Sequence, residues 1–168
     1  MSQLFRVAAM LSSVLWFAAC DPVQDDAIAA LGGEASGVRP GPLHRPGQPC
    51  LLCHDGAFGD PGEFSVAGTV FADRIDKQPA RGATVTLKAS DGTSRSFQTN
   101  AAGNFYVTPQ SWQPAYPLQV SVVFQAQTVS MTSNIGRDGA CASCHVDPAG
   151  PDSPGHVYAT PEDAGVAP

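Results

Sequence analysis

Charge is scarce in this chain. Only 14% of its 168 residues are Asp, Glu, Lys or Arg, and the nine Lys and Arg never cluster; the net charge is −6. Nucleic-acid binding needs grouped cations against phosphates, so no nucleic-acid partner is expected. A run of about 20 apolar residues, the length a helix needs to cross a bilayer, is also missing. The longest, VAAMLSSVLWFAA at residues 7–19, has 13. No long helical pattern interrupts residues 64–132, which excludes a helical bundle there. No Ser-His-Asp arrangement, phosphate loop or carboxylate pair stands out, so hydrolase and kinase chemistry find no support.

What is abundant is Gly (17) and Pro (15), a loop-rich and β-leaning composition. Arg6 followed by the apolar run of 7–19 reads as an export signal, with residues 1–19 as the signal peptide. The run ends FAAC, and Cys20 after Ala18 and Ala19 resembles the lipobox of bacterial lipoproteins. That resemblance implies a lipidated Cys20, hence an anchor to a membrane facing the periplasm or the cell surface; ordinary signal cleavage is the plain alternative. Residues 20–49 then read as the lipidated N-terminus and a flexible tether, with one or two helical turns in QDDAIAAL (24–31).

From Phe64 to Thr132 apolar residues alternate with polar ones: Ala83, Val85, Leu87 and Ala89 in one run, Leu118, Val120, Val122 and Phe124 in another. Alternation at a period of two predicts half-buried antiparallel strands. Six are expected, near 64–72, 83–89, 94–99, 104–108, 118–124 and 128–132, with turns at SDGT (90–93) and NAAGN (100–104). The fold class that follows is all-β, a small antiparallel β-sandwich flanked by loop-rich segments. About 65 residues of this block resemble the carboxypeptidase regulatory-like domain, a transthyretin-like β-sandwich. The likeness rests on Gly68, on Pro79, Gly82, Ala83 and Val85, and on Thr99, Gly103 and Phe105. It implies a structural or interaction module and is nearly silent on activity.

Chemistry is concentrated on either side of that block. Cys50-Leu-Leu-Cys53-His54 and Cys141-Ala-Ser-Cys144-His145 both have the form Cys-x-x-Cys-His. Scattering 5 Cys and 4 His over the chain gives roughly 0.003 such matches by chance. Each pentapeptide resembles the attachment motif of c-type cytochromes. The resemblance implies two covalent haem c groups, on Cys50 and Cys53 and on Cys141 and Cys144, with His54 and His145 as proximal iron ligands. It assigns residues 50–63 and 133–158 to the two haem-binding segments.

Three rival uses of the same cysteines remain open: two Cys-x-x-Cys pairs on structural zinc, a redox disulfide within each pair, and structural disulfides across the domain. The two other histidines, His44 and His156, each sit in a Pro/Gly loop near one motif and are candidates for the sixth iron positions; a solvated loop residue is the plain alternative, and a crossed pairing is open. Met131 is a rival sixth ligand, with strand packing the favoured reading. Trp112 and Tyr116 are read as packing residues, and Arg39, Arg45 and Arg137 as exposed loop arginines rather than propionate partners. An even number of strands between the motifs returns the chain to one end of the sandwich and makes the haems neighbours. Residues 159–168 read as a disordered tail.

The expected function is electron transfer, not enzyme catalysis, by an exported, membrane-anchored di-haem c-type cytochrome that exchanges electrons with redox partner proteins. A zinc- or disulfide-stapled surface adhesion module is the alternative, and a haem peroxidase-like enzyme stands behind it.

Overall fold

The computed structural model describes residues 22–34, 36–56 and 62–160. The expected signal peptide, the lipidation site at Cys20 and the tail from 161 onward lie outside the described residues.

The fold is all-β: seven strands in two facing sheets, with one α-helix among the described residues. The strands are β1 (Val66–Phe71), β2 (Thr84–Lys88), β3 (Ser94–Gln98), β4 (Asn104–Val107), β5 (Gln119–Phe124), β6 (Gln127–Ser130) and β7 (Val157–Tyr158). One sheet runs β4-β1-β7, the other β3-β2-β5-β6. Every pairing is antiparallel except β1 with β7, which is parallel. The six expected strands are all present, and β7 is an unexpected seventh. Between the sheets lie Val66 and Val70 of β1, Val85 and Leu87 of β2, Phe105 and Val107 of β4, and Val122 of β5, with Leu118 and Trp112 beside them.

Strand β1 differs from the others. All six of its residues are buried, whereas β2 alternates as a strand with one wet face does. Its second face is covered by the chain before the first motif. Gly47 N–H donates to Thr69 Oγ1 at 2.8 Å, and Asn104 of β4 donates through Nδ2 to the carbonyl of His44 at 3.0 Å.

That covering corrects the expectation of a loose tether over 20–49. Helix α1 (Pro22–Ala30) begins with proline, whose missing N–H costs nothing at the first helical position. Gln24 Nε2 then donates to the carbonyl of Leu52 at 2.7 Å and to Asp55 Oδ2 at 2.9 Å, docking the helix on the first motif. The boundary of the tail also shifts. Ala159 is fully buried and its N–H donates to the carbonyl of Phe71 at 2.8 Å, so the described chain is packed through that residue.

Candidate metal centres

The two Cys-x-x-Cys-His segments adopt one geometry twice. Each opens with a single 3-10 turn, Cys50–Leu52 and Cys141–Ser143, entered from an extended residue, Pro49 and Ala140. In the first, the N–H groups of Cys53 and His54 both donate to the carbonyl of Cys50, at 3.2 and 3.0 Å; in the second, those of Cys144 and His145 donate to Cys141, at 3.3 and 2.9 Å. This tight turn puts both thiols and the imidazole of each motif on one short arc.

The histidines match in a second respect. His54 Nδ1 lies 2.8 Å from the carbonyl of Gly62, and His145 Nδ1 2.9 Å from that of Gly155. A carbonyl only accepts, so Nδ1 carries the proton in both rings and the lone pair sits on Nε2. That is the tautomer a metal-binding imidazole needs, held by an outer partner. His54 is buried and lies in an aromatic pile: its ring stacks on Phe64 at 4.3 Å, and Phe64 on Tyr106 at 4.8 Å.

Each motif lines its own cavity. The first, about 630 Å³, is bordered by Cys50, Cys53, His54 and His44, with Leu31, Pro42, Phe64 and Tyr106 as apolar wall. The second, about 590 Å³, is bordered by Cys141, Cys144, His145 and His156. It opens between the sheets, with Val70 on one side and Val85, Val120, Val122 and Val129 on the other. Phe105 borders both. These are volumes suited to a mostly apolar organic cofactor.

His44 thus borders the first cavity and His156 the second, and the His156 ring also lies against Gly47 in the loop before the first motif. The two groupings differ in closeness. The rings of His44 and His54 stand 5.9 Å apart, tilted by 46°, whereas His156 stacks on Phe71 at 4.8 Å. Met131 is half-buried on the border of the second cavity, outside the sandwich core where packing was expected to place it. Trp112 is buried in the core, and Tyr116 Oη donates to the carbonyl of Ser65 at 3.2 Å. Arg45 is not an idle loop arginine: Nε contacts Glu34 Oε1 at 3.1 Å, and its two terminal nitrogens donate to Gln48 Oε1 and the Gly32 carbonyl, both at 2.8 Å. Arg137 borders the second cavity, and Arg39 is exposed.

Both motif turns lie against β1, as six intervening strands allow. Ala67 N–H donates to the carbonyl of Gly139 at 3.0 Å, placing the chain into Cys141 alongside β1. Cys141 packs on the sandwich core, and a Cβ built on Gly68 would stand 2.6 Å from both its Cβ and its Sγ. Burial, followed by the nearby Cys50 thiolate, pushes the Cys141 thiol from the usual 9.0 to about 12; burial raises that of Cys50 as well. Cys141 as a residue is half-buried.

The raised thiols bear on the rival chemistries. A redox Cys-x-x-Cys pair works through a thiolate of lowered pKa, the reverse of what surrounds Cys50 and Cys141. A stability prediction follows from the same burial. Below pH 9 Cys141 is a neutral thiol folded or unfolded; above it the unfolded chain loses the proton first. Stability of the thiol form is therefore complete below pH 9 and falls as pH rises towards 12. Urea midpoints from pH 8 to 10.5 should drop, and Cys141→Ala should flatten that drop. Equal slopes in both proteins would show that Cys141 is not held neutral.

Sequence reasoning did not find Phe64, Tyr106 or Phe71 as ring partners, nor Glu34. It also passed over a usable signal: each motif is followed by Pro-Gly, at 61–62 and 154–155, whose glycines supply the two carbonyls. No family model, curated protein or solved structure matches the chain.

Proposed function

We propose that the chain is a di-haem electron carrier, with one haem c held by Cys50, Cys53 and His54 and another by Cys141, Cys144 and His145. The observation that carries this reading is the repetition: one turn, one histidine tautomer and one cofactor-sized cavity occur at each motif. The donor chemistry fits. A thioether is uncharged, so it suits the surroundings of Cys141, which oppose a charged sulfur. Attachment would add each thiol across a vinyl group, its proton passing to the neighbouring carbon, with no leaving group. Haem iron held here would supply a one-electron couple; the chain would supply histidine nitrogens, orientation and a dry wall.

His44 stands as the partner of His54 across the first cavity. Two imidazoles on one metal lie about 6 Å apart centre to centre, taking about 2 Å for each metal–nitrogen bond, and the rings stand at 5.9 Å. At the second site His156 and Met131 both border the cavity and are the two candidates for a second ligand. The exported, lipid-anchored location and the redox protein partners belong to this reading, as does the transthyretin-like kinship of the sandwich, here a spacer between haems.

The test is optical and mass analysis of the protein made in a host proficient in cytochrome maturation. A red protein heavier than its chain by two haems, with a pyridine haemochrome spectrum, is expected. A colourless protein with thiols at 50, 53, 141 and 144 would overturn the reading in favour of a stapled adhesion module. A high-spin fraction that binds peroxide would move it to a peroxidase-like enzyme.

A further inference from the structure

We infer that Glu34 is a positioning residue for the first haem, holding His44 from behind and setting how firmly that ring binds iron. The inference rests on the di-haem reading. His44 Nδ1 is buried and makes no hydrogen bond, and a buried polar atom left without a partner is costly. The group facing it is the Glu34 carboxylate, whose Oε1 lies 3.5 Å away. A shift of about half an ångström brings that contact into hydrogen-bond range.

The surroundings are built to hold this pair. The His44 carbonyl is bonded by Asn104 of β4, and its N–H donates to the carbonyl of Gly41 at 3.0 Å, so the backbone beneath the ring is pinned to the sheet. Arg45 takes a left-handed φ of 46°, an unfavourable conformation for a side chain with a Cβ. It is held there by Glu34, Gln48 and the Gly32 carbonyl. The carboxylate thus braces two consecutive residues of the loop that borders the cavity. With Nδ1–H directed at a carboxylate, Nε2 becomes a stronger donor to a metal, the role such outer partners play in metal sites. For the two motif histidines, His54 and His145, the Nδ1 partner is a neutral carbonyl, whereas His44 faces a carboxylate.

The experiment uses the full-length holoprotein, wild type, Glu34→Gln and Glu34→Asp, followed by optical redox titration and by the rate of cyanide binding. In Glu34→Gln one of two reduction waves should move to higher potential, and one haem should bind cyanide about tenfold faster. The other wave stays in place and both haems remain by mass. Glu34→Asp should fall between. In a His44→Ala background, Glu34→Gln should add nothing. Unmoved waves in Glu34→Gln, or two waves moving equally, overturn the assignment while leaving the di-haem reading intact. A wild-type protein without haem overturns the di-haem reading itself, and this inference with it.

Discussion

If the chain carries two haems as proposed, replacing Cys141 and Cys144 together by alanine should remove one and leave the other on the peptide that contains Cys50 and Cys53. The mass falls by one haem beyond the change in side chains, and the haemochrome absorbance halves. The converse pair, Cys50 and Cys53, removes the other haem. The sites are separable for a structural reason. Each motif makes its own turn, secures its own histidine to its own glycine carbonyl, and borders its own cavity. The core beneath them is made by the two sheets, from Val66, Val85, Leu87, Phe105 and Leu118 among others. Losing two sulfurs at its margin costs less than losing a core leucine, about 2–5 kcal/mol, so the variants should fold. If deleting one pair removed both haems, the motifs would be parts of one centre. If neither deletion changed the colour, the cysteines would have another use.

The strands were legible because their alternation is simple: Val85 and Leu87 are buried while Thr84, Thr86 and Lys88 are not. The motifs were legible as patterns of residue type, and their shared turn is local enough to follow from spacing. What the sequence hid was non-local. β7 is two residues long and pairs with β1 from a distance of more than eighty residues, so no periodicity marks it. The turn between β5 and β6 runs through Gln125 and Ala126, both at positive φ, where Asn and Gly are the usual signals. Residues 40–49 have a linker's composition, yet hydrogen bonds from Gly47 and to the His44 carbonyl fix them to β1 and β4. Glu34 reads as one acid in a polar stretch, and only the fold brings it to His44. Met131 alternates in phase with Val129, which suggests core; a seven-strand sandwich with so short a β7 leaves its mouth open, and Met131 borders the opening.

Gly68→Ala should impair the second site while sparing the first. Gly68 stands in the middle of β1, opposite Phe105 of β4, where glycine normally weakens a strand. Its φ is not the reason for it, because only the glycines at positive φ need glycine's backbone freedom, and Gly68 is not one of them. The reason is space. A methyl there would lie 2.6 Å from Cβ and Sγ of Cys141 and 3.3 Å from the ring of Phe105. Cys141 cannot yield easily, since the chain just before it is bonded to Ala67 through the Gly139 carbonyl. A Cβ on Gly139 would in turn strike the Ser65 carbonyl. The methyl must push the second motif outward, at an overpacking cost of about 1–3 kcal/mol, against which the gain from alanine in a strand is smaller. The expected protein melts earlier and contains many chains with a single haem, always at Cys50 and Cys53. Gly150→Ala is the control, because nothing lies within 4 Å of its added Cβ and it borders neither cavity, and it should match the wild type in haem count and melting. Full two-haem occupancy with unchanged melting in Gly68→Ala would mean that Cys141 does not rest on β1, and the close approach of the two sites along that strand would go with it.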